Sequence, residues 1–376
     1  MMKIWKRINY LMLWLVLLLF QPVFSQLYKV DEPKIEPALR YYMCYRVSEP
    51  IAIDGKLDEP SWKKVYWSED FMDIEGKNKP KPRYKTRVKM LWDDQFFYIG
   101  AELEEPNLWA TLKERDSIIY LDSDFEVFID PDGDTHNYYE LEINAFNTVW
   151  DLFLVKPYRD GSPAIHSWDI QGLRTAVYTD GTLNDPSDKD RGWSVEIAIP
   201  WEVLKEAAPF KKKPEPGDKW RVNFSRVEYR TSVENGSYVK MKDKITGNPL
   251  SEDNWTWAPQ GLINIHYPEM WGYVQFTATE AGKAKEFCDE DPEADIKWAL
   301  RLIYYRQRNF YIQNGRFAVN LEELNLSKEK KLRVKGWGFP PTIQTTASLF
   351  EVTYSSALGQ EWHIRQDGLV WKIEKK

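Results

Sequence analysis

Cysteine and histidine are scarce in this chain of 376 residues: two Cys, Cys44 and Cys288, and four His, His136, His166, His266 and His363. No zinc-type or thioredoxin-type cysteine spacing is present. The two cysteines leave open either one disulfide tying the ends of a domain or a pair of buried free thiols. A haem or redox module would need His or Met axial donors, and no Cys-x-x-Cys-His attachment site exists. A Gly-x-Ser-x-Gly elbow, a metalloprotease helix and a phosphate-binding loop are absent as well. Long apolar runs are limited to Leu11–Phe20, behind a positive stretch of Lys3, Lys6 and Arg7 and ahead of Val23-Phe24-Ser25. That run is short for a bilayer span, which takes about 20 residues. The pattern reads as a signal peptide over 1–25 with cleavage before Gln26, an uncleaved anchor being the alternative. The protein is therefore expected to be exported, to periplasm or extracellular space, with no membrane span after cleavage.

Positive charge is in deficit too. Losing Lys3, Lys6 and Arg7 with the leader takes the formal net charge from −7 to −10. Nucleic-acid binding depends on Lys and Arg neutralising phosphates, so such a partner is excluded, and anionic membrane surfaces fit no better. What the chain has in excess is aromatic: 18 Trp and 21 Tyr. A sugar ring offers an apolar face for aromatic stacking and a rim of hydroxyls for carboxylates and amides, so a glycan or oligosaccharide is the partner this composition suits.

Residues 26–45, with Pro33, Pro37 and mixed charge, read as a lead-in without a core of its own. From Lys85 short strands recur. Val88 and Met90 alternate with charged residues up to the Asp93-Asp94-Gln95 turn, and Phe96–Leu103 returns as the second arm of a hairpin. Phe125–Ile129 and Tyr138–Ala145 form a second pair around Asp130-Pro-Asp-Gly-Asp134. Val149–Val155, Gly172–Tyr178, Trp193–Ile199 and Lys219–Tyr229 add strands, and Tyr273–Phe276 closes the set, with a helix expected only at Trp201–Ala207. The fold class is all-β, an antiparallel, jelly-roll-like β-sandwich over 46–276. Residues 280–376 read as a small α+β appendage, a docking element or a cap. It holds a helix over Pro292–Ile312, a short helix at Asn320–Leu326, and strands Leu349–Tyr354 and Trp362–Trp371, the latter folded at Asp367-Gly368.

Trp92, Phe97, Phe128 and Trp193 sit in strand patterns and are expected in the core. Trp255 and Trp257, two apart in Asn254-Trp-Thr-Trp-Ala-Pro-Gln-Gly261, read as loop aromatics that share one side of an extended segment. Taken together, Ile53-Asp-Gly-Lys-Leu-Asp-Glu-Pro-Ser-Trp62, Val88–Tyr98 and Asp124-Phe-Glu-Val-Phe-Ile-Asp130 resemble the family 9 carbohydrate-binding modules, over about Ile51 to Phe276. Those are β-sandwiches that hold a sugar between aromatic side chains. The resemblance implies one stacking residue at Trp255 or Trp257 and the opposite one at Tyr120, where the family carries Trp, with Trp109 as a substitute. It implies polar contacts from Glu126 and Asn144. At Glu142 some members carry Arg, so an acceptor replaces a donor and ligand identity does not carry over. Some members bind calcium, which makes Asp130, Asp132 and Asp134 candidate Ca2+ ligands, although the turn lacks EF-hand spacing and a plain hairpin turn is the simpler reading. Such modules often accompany glycoside hydrolases, so a hydrolase or other surface protein is a conceivable partner. An O-glycosyl hydrolase is the leading enzymatic alternative, with no local signature to support it and no cofactor required.

Overall fold

The computed structural model describes residues 29–374, so the leader over 1–25 lies outside the described residues. Fifteen strands build the sandwich: β1 (Tyr41–Arg46), β2 (Met72–Asp73), β3 (Thr86–Trp92), β4 (Phe96–Glu104), β5 (Asp124–Asp130), β6 (Tyr138–Asn144), β7 (Val149–Leu154), β8 (Ala164–Ile165), β9 (Arg174–Asp180), β10 (Gly192–Pro200), β11 (Lys219–Glu228), β12 (Thr231–Glu234), β13 (Ser237–Lys240), β14 (Asp253–Thr256) and β15 (Gly272–Glu280). Thirteen of them are hydrogen-bonded together, eleven along the path β8-β7-β6-β5-β11-β15-β1-β3-β4-β10-β9 and two off it, β14 on β11 and β2 on β14; β12 and β13 form a separate hairpin. Inward side chains from both ends of this path meet in one core. Phe125, Val127, Leu141, Ile143 and Phe224 come from one layer, and Val88, Met90, Phe97, Ile99, Val195 and Ile197 from the other. The strict alternation behind this is the period of two along each strand, which sends the intervening residues to the opposite face.

The predicted hairpins and the core positions Trp92, Phe97, Phe128 and Trp193 stand as expected, all four buried. The lead-in needs correction. Tyr42, Met43, Cys44 and Tyr45 are buried in β1, which pairs in parallel with both β15 and β3, so the sandwich is antiparallel except at this strand. A nearly continuous apolar run is what a strand covered on both faces requires. Both cysteines are free thiols, and burial pushes the Cys44 thiol well up. The helix expected over Trp201–Ala207 is a single turn, Trp201–Leu204.

The Ile53–Trp62 segment covers the outside of β4, β10 and β9. The buried Glu196 carboxylate accepts from the N–H groups of Asp54 and Gly55 at 2.9 and 2.8 Å and from the Trp62 indole at 2.8 Å. Gly55 has φ +89°, and a Cβ there would stand 2.5 Å from the Tyr178 amide nitrogen. No larger residue fits this clasp.

The appendage comprises helix α1 (Ala294–Asn314) and a four-stranded antiparallel sheet, β16 (Thr342–Thr345), β17 (Phe350–Ser355), β18 (Gln360–Arg365) and β19 (Val370–Glu374). Residues 320–325 form turns and a bend rather than a short helix, and β16 is an additional strand. Ile296, Ala299, Leu300 and Ile303 line one face of α1 and share a core with Val352, Ile364, Tyr267 and Met270. Several polar groups at the seam between helix and sandwich, and one pair within the sandwich beneath it, are buried. Arg308 pairs with Asp160, Tyr304 donates to Asp160 at 2.7 Å, Arg159 to Glu269 at 2.9 Å, and Arg301 to Thr135 at 3.0 Å. The appendage is a cap seated on the sandwich.

Candidate functional site

The face of β5, β6, β7 and β11 that points away from the core carries Glu126, Glu140, Glu142, Trp150, Leu152, Ser225 and Val227. Register sets them side by side: Glu126 stands opposite Glu142 and Ser225, and Glu142 opposite Trp150. With Asn254 from β14, Tyr120 and Tyr158 from connecting segments, and Asn264 and His266 from the segment before β15, they line a cleft of about 590 Å³. This lies within the range of small-molecule sites. Tyr120 and Tyr158 are 43% and 40% exposed, so each offers ring surface at the mouth. Tyr120 and Trp150 have ring centroids 6.1 Å apart, Trp150 stacks on His166 at 5.6 Å, and Tyr158 meets the edge of His266 at 4.6 Å.

The floor is acidic. Burial, reinforced by neighbouring carboxylates, raises Asp124, Glu140 and Glu142 well above the usual carboxyl range, and burial raises Glu126 to about 7. Like charges this close on one sheet face oppose one another's ionisation, and a cation placed among them would reverse that effect. Tyr120 N–H donates to Glu142 Oε2 at 2.9 Å and Val227 N–H to Asp124 Oδ1 at 3.0 Å. Asp124 Oδ2 and Glu140 Oε2 have no hydrogen-bond partner among the described residues. Burial, then the Arg159 charge, lowers His266 to about 3, so its ring is neutral and bonded through Nδ1 to the Tyr138 hydroxyl at 2.9 Å.

Of the residues singled out in the sequence, Tyr120, Glu126 and Glu142 converge in this cleft. The others do not. Trp255 and Trp257 do share a face, but it is the core face: they are 3% and 0% exposed. Trp255 lies on β14 against Tyr84 and the Arg83 and Arg226 guanidinium groups. The Trp257 indole donates to Glu69 at 3.2 Å, and its ring occupies the space that a Cβ on Gly272 would need. Asn144 is a structural clamp. Its amide donates to Leu112 O at 2.8 Å and Asp122 Oδ2 at 3.0 Å, and its oxygen accepts from the Phe146 and Thr148 amides, which leaves nothing for a ligand. Trp109 is buried against Tyr229 in a separate small cluster. The Asp130, Asp132 and Asp134 carboxylates come within 4.8 Å of one another. Asp130 already accepts from Gly133 N–H and Thr135 N–H, both at 2.9 Å, as a tight hairpin turn demands.

Trp150, Tyr158, Glu140 and His266 are site residues that the sequence reading passed over. For Trp150 and Glu140 the signal was present, since both fall on the alternate positions opposite the core-facing ones. Tyr158 and His266 reach the cleft from long connections that no periodicity marks.

The curated relatives match part of the chain. Over 155 residues it is 27% identical to exoglucanase XynX of Acetivibrio thermocellus and 28% identical to endo-1,4-beta-xylanase A of Thermoanaerobacterium saccharolyticum. Both matches take in 40% of this chain but only 12% and 11% of those proteins. A family 9 carbohydrate-binding module from Caldicellulosiruptor kristjanssonii, solved with cellotriose, aligns over 65% of this chain and 99% of its own, with 17% identity and a TM-score of 0.40. Among the described residues, no helix is long and apolar enough to cross a membrane. Residues 53–246, more than half of the 376, match the family described as carbohydrate family 9 binding domain-like, and the chain belongs to that family.

Proposed function

We propose that this is an exported carbohydrate-binding protein that takes a sugar into the cleft on the outer face of β5, β6, β7 and β11. The observation that carries this reading is the meeting of partly exposed rings, Tyr120 and Tyr158, with Trp150 and a row of carboxylates in one concavity. Aromatic faces shed water against the C–H face of a sugar, while Glu126, Glu142 and Asn254 satisfy hydroxyls in directional hydrogen bonds. Immobilised plant and microbial polysaccharides, screened with the wild-type chain and with Trp150→Ala, test it: binding to at least one glycan, weakened in the variant, is the expected result. A complete glycan panel with no binder refutes it. Export is tested by sequencing the N-terminus of the mature protein, expected at Gln26.

A glycosidase reading draws on the raised carboxyl groups, which resemble general acids. Geometry weighs against it. Glu126 and Glu142 are direct cross-strand neighbours on one face of the sheet, whereas hydrolysis needs two carboxyls flanking the scissile bond. Aryl glycosides and polysaccharides are expected to stay intact; turnover lost on a single Glu or Asp substitution would establish the enzyme.

A further inference from the structure

The chemistry of the cleft goes further than a generic sugar site. Five carboxylates line it, Asp116, Glu126, Glu140, Glu142 and Glu252, and none of the described lining residues is Lys or Arg. The basic groups around it do not reach the floor: Arg115 lies 3.6 Å from Asp116 at the rim and also pairs with Asp151 and Asp169. Arg159 pairs with Glu269, and Lys240 donates to Leu121 O and lies 3.4 Å above the Tyr229 ring. His266, whose Nε2 lies 4.0 Å from Glu140 Oε1, is held neutral. Protein hydrogen bonds therefore leave the acidic floor uncompensated, and the unpartnered oxygens of Asp124 and Glu140, residues 0% and 4% exposed, mark where a counter-charge is missing. Such oxygens are costly to bury unless a partner arrives.

Resting on the carbohydrate-binding reading, we infer that the cleft selects a sugar bearing a protonated amino group, placing its ammonium between Glu126, Glu140 and Glu142 while Tyr120, Trp150 and Tyr158 hold the ring. An ammonium supplies three donors to a site rich in acceptors, and the surrounding aromatic faces favour a cation further. Sugars carrying carboxylate or sulfate groups are repelled by the same floor.

Three β-1,4-linked trisaccharides that differ only at C2 separate the possibilities: the fully deacetylated chitin trimer (ammonium), the N-acetylated trimer (amide) and cellotriose (hydroxyl). Titration calorimetry with the full mature chain, near neutral pH and in the presence of a chelator, reads each affinity. The ammonium trimer is expected to bind at least about tenfold more tightly than the other two and to lose affinity as salt rises. Glu140→Gln and Glu142→Gln, checked for unchanged melting, should each remove most of the preference for the ammonium trimer over cellotriose. Equal or tighter binding of cellotriose overturns the inference and leaves the carbohydrate reading standing. Failure of all three sugars overturns the inference and sends the carbohydrate reading back to the polysaccharide screen. A preference that survives in both variants shows that the floor carboxylates are not its cause. Tight binding that needs added Ca2+ and no amino group assigns the counter-charge to a metal ion and overturns the inference as well.

Discussion

Replacing Trp257 by Ala separates a core role from a ligand role most sharply. The side chain has no exposed surface, its ring packs 5.9 Å from Phe224 and over Gly272, and its indole N–H is bonded to Glu69. Gly272 is what admits the ring. A Cβ there would stand 2.4 Å from it, so the backbone of β15 is moulded to this tryptophan and cannot collapse readily into the hole. The substitution then costs the transfer energy of the indole plus an unfilled cavity, about 3–5 kcal/mol in total. At about 2–4 °C per kcal/mol for a chain of this order of size, melting should fall by roughly 6–20 °C. Scanning fluorimetry and urea denaturation read the loss. Calorimetry on the protein that remains folded should return the wild-type glycan affinity. A variant that melts within a degree of wild type but no longer binds glycan would refute the reasoning, because it would place Trp257 at the ligand.

Trp150→Ala should behave in the opposite way, with glycan binding weakened at least tenfold and a smaller melting change, since the ring borders the cleft; equilibrium binding and melting on the same preparation check it. Glu126→Gln tests the buried carboxyl. Its folded value of about 7 lies above its unfolded value near 4.3, so the native state keeps a proton that the unfolded chain releases. Wild type therefore loses stability relative to the variant as pH rises between those values, at up to about 1.4 kcal/mol per pH unit, and the difference stays level above pH 7. Denaturation of both proteins at intervals from pH 4 to 8 reads that difference. Asp160→Ala removes the carboxylate that pairs with the buried Arg308 and accepts from Tyr304, so it should cost about 3–5 kcal/mol, measured by urea denaturation.

Local chemistry made much of the fold legible. The Asp-Gly turns, the alternation in β3 to β6 and the apolar positions of α1 each specify an element through interactions between near neighbours. Face assignment was harder. The spacing of Trp255 and Trp257 settles that both rings point to one side, but only the pairing of β14 with β11 decides that this side is the core. The polar neighbours Asn254 and Thr256 suggested an exposed loop because they alternate with the tryptophans, which is also how a half-buried strand reads. Asn144 was misread for a related reason: its amide is saturated by Leu112 and Asp122, partners more than twenty residues away. The cleft draws on several strands and two long connections, so its full membership exists only in three dimensions.

The buried ion pairs beneath the cap bear on how this protein can be cut and moved. A fragment trimmed to residues 53–246 would lack β1, β14 and β15, and with them the strand that links β11 to the rest of the sandwich. A longer fragment ending at β15 would keep those strands but leave Asp160 without Arg308 and Tyr304, and Glu269 without Tyr305. Desolvated charges deprived of a partner cost several kcal/mol each. The binding domain is thus not a detachable cassette. Grafting it onto an enzyme, or expressing it alone for affinity work, requires the chain from its first strand through β19.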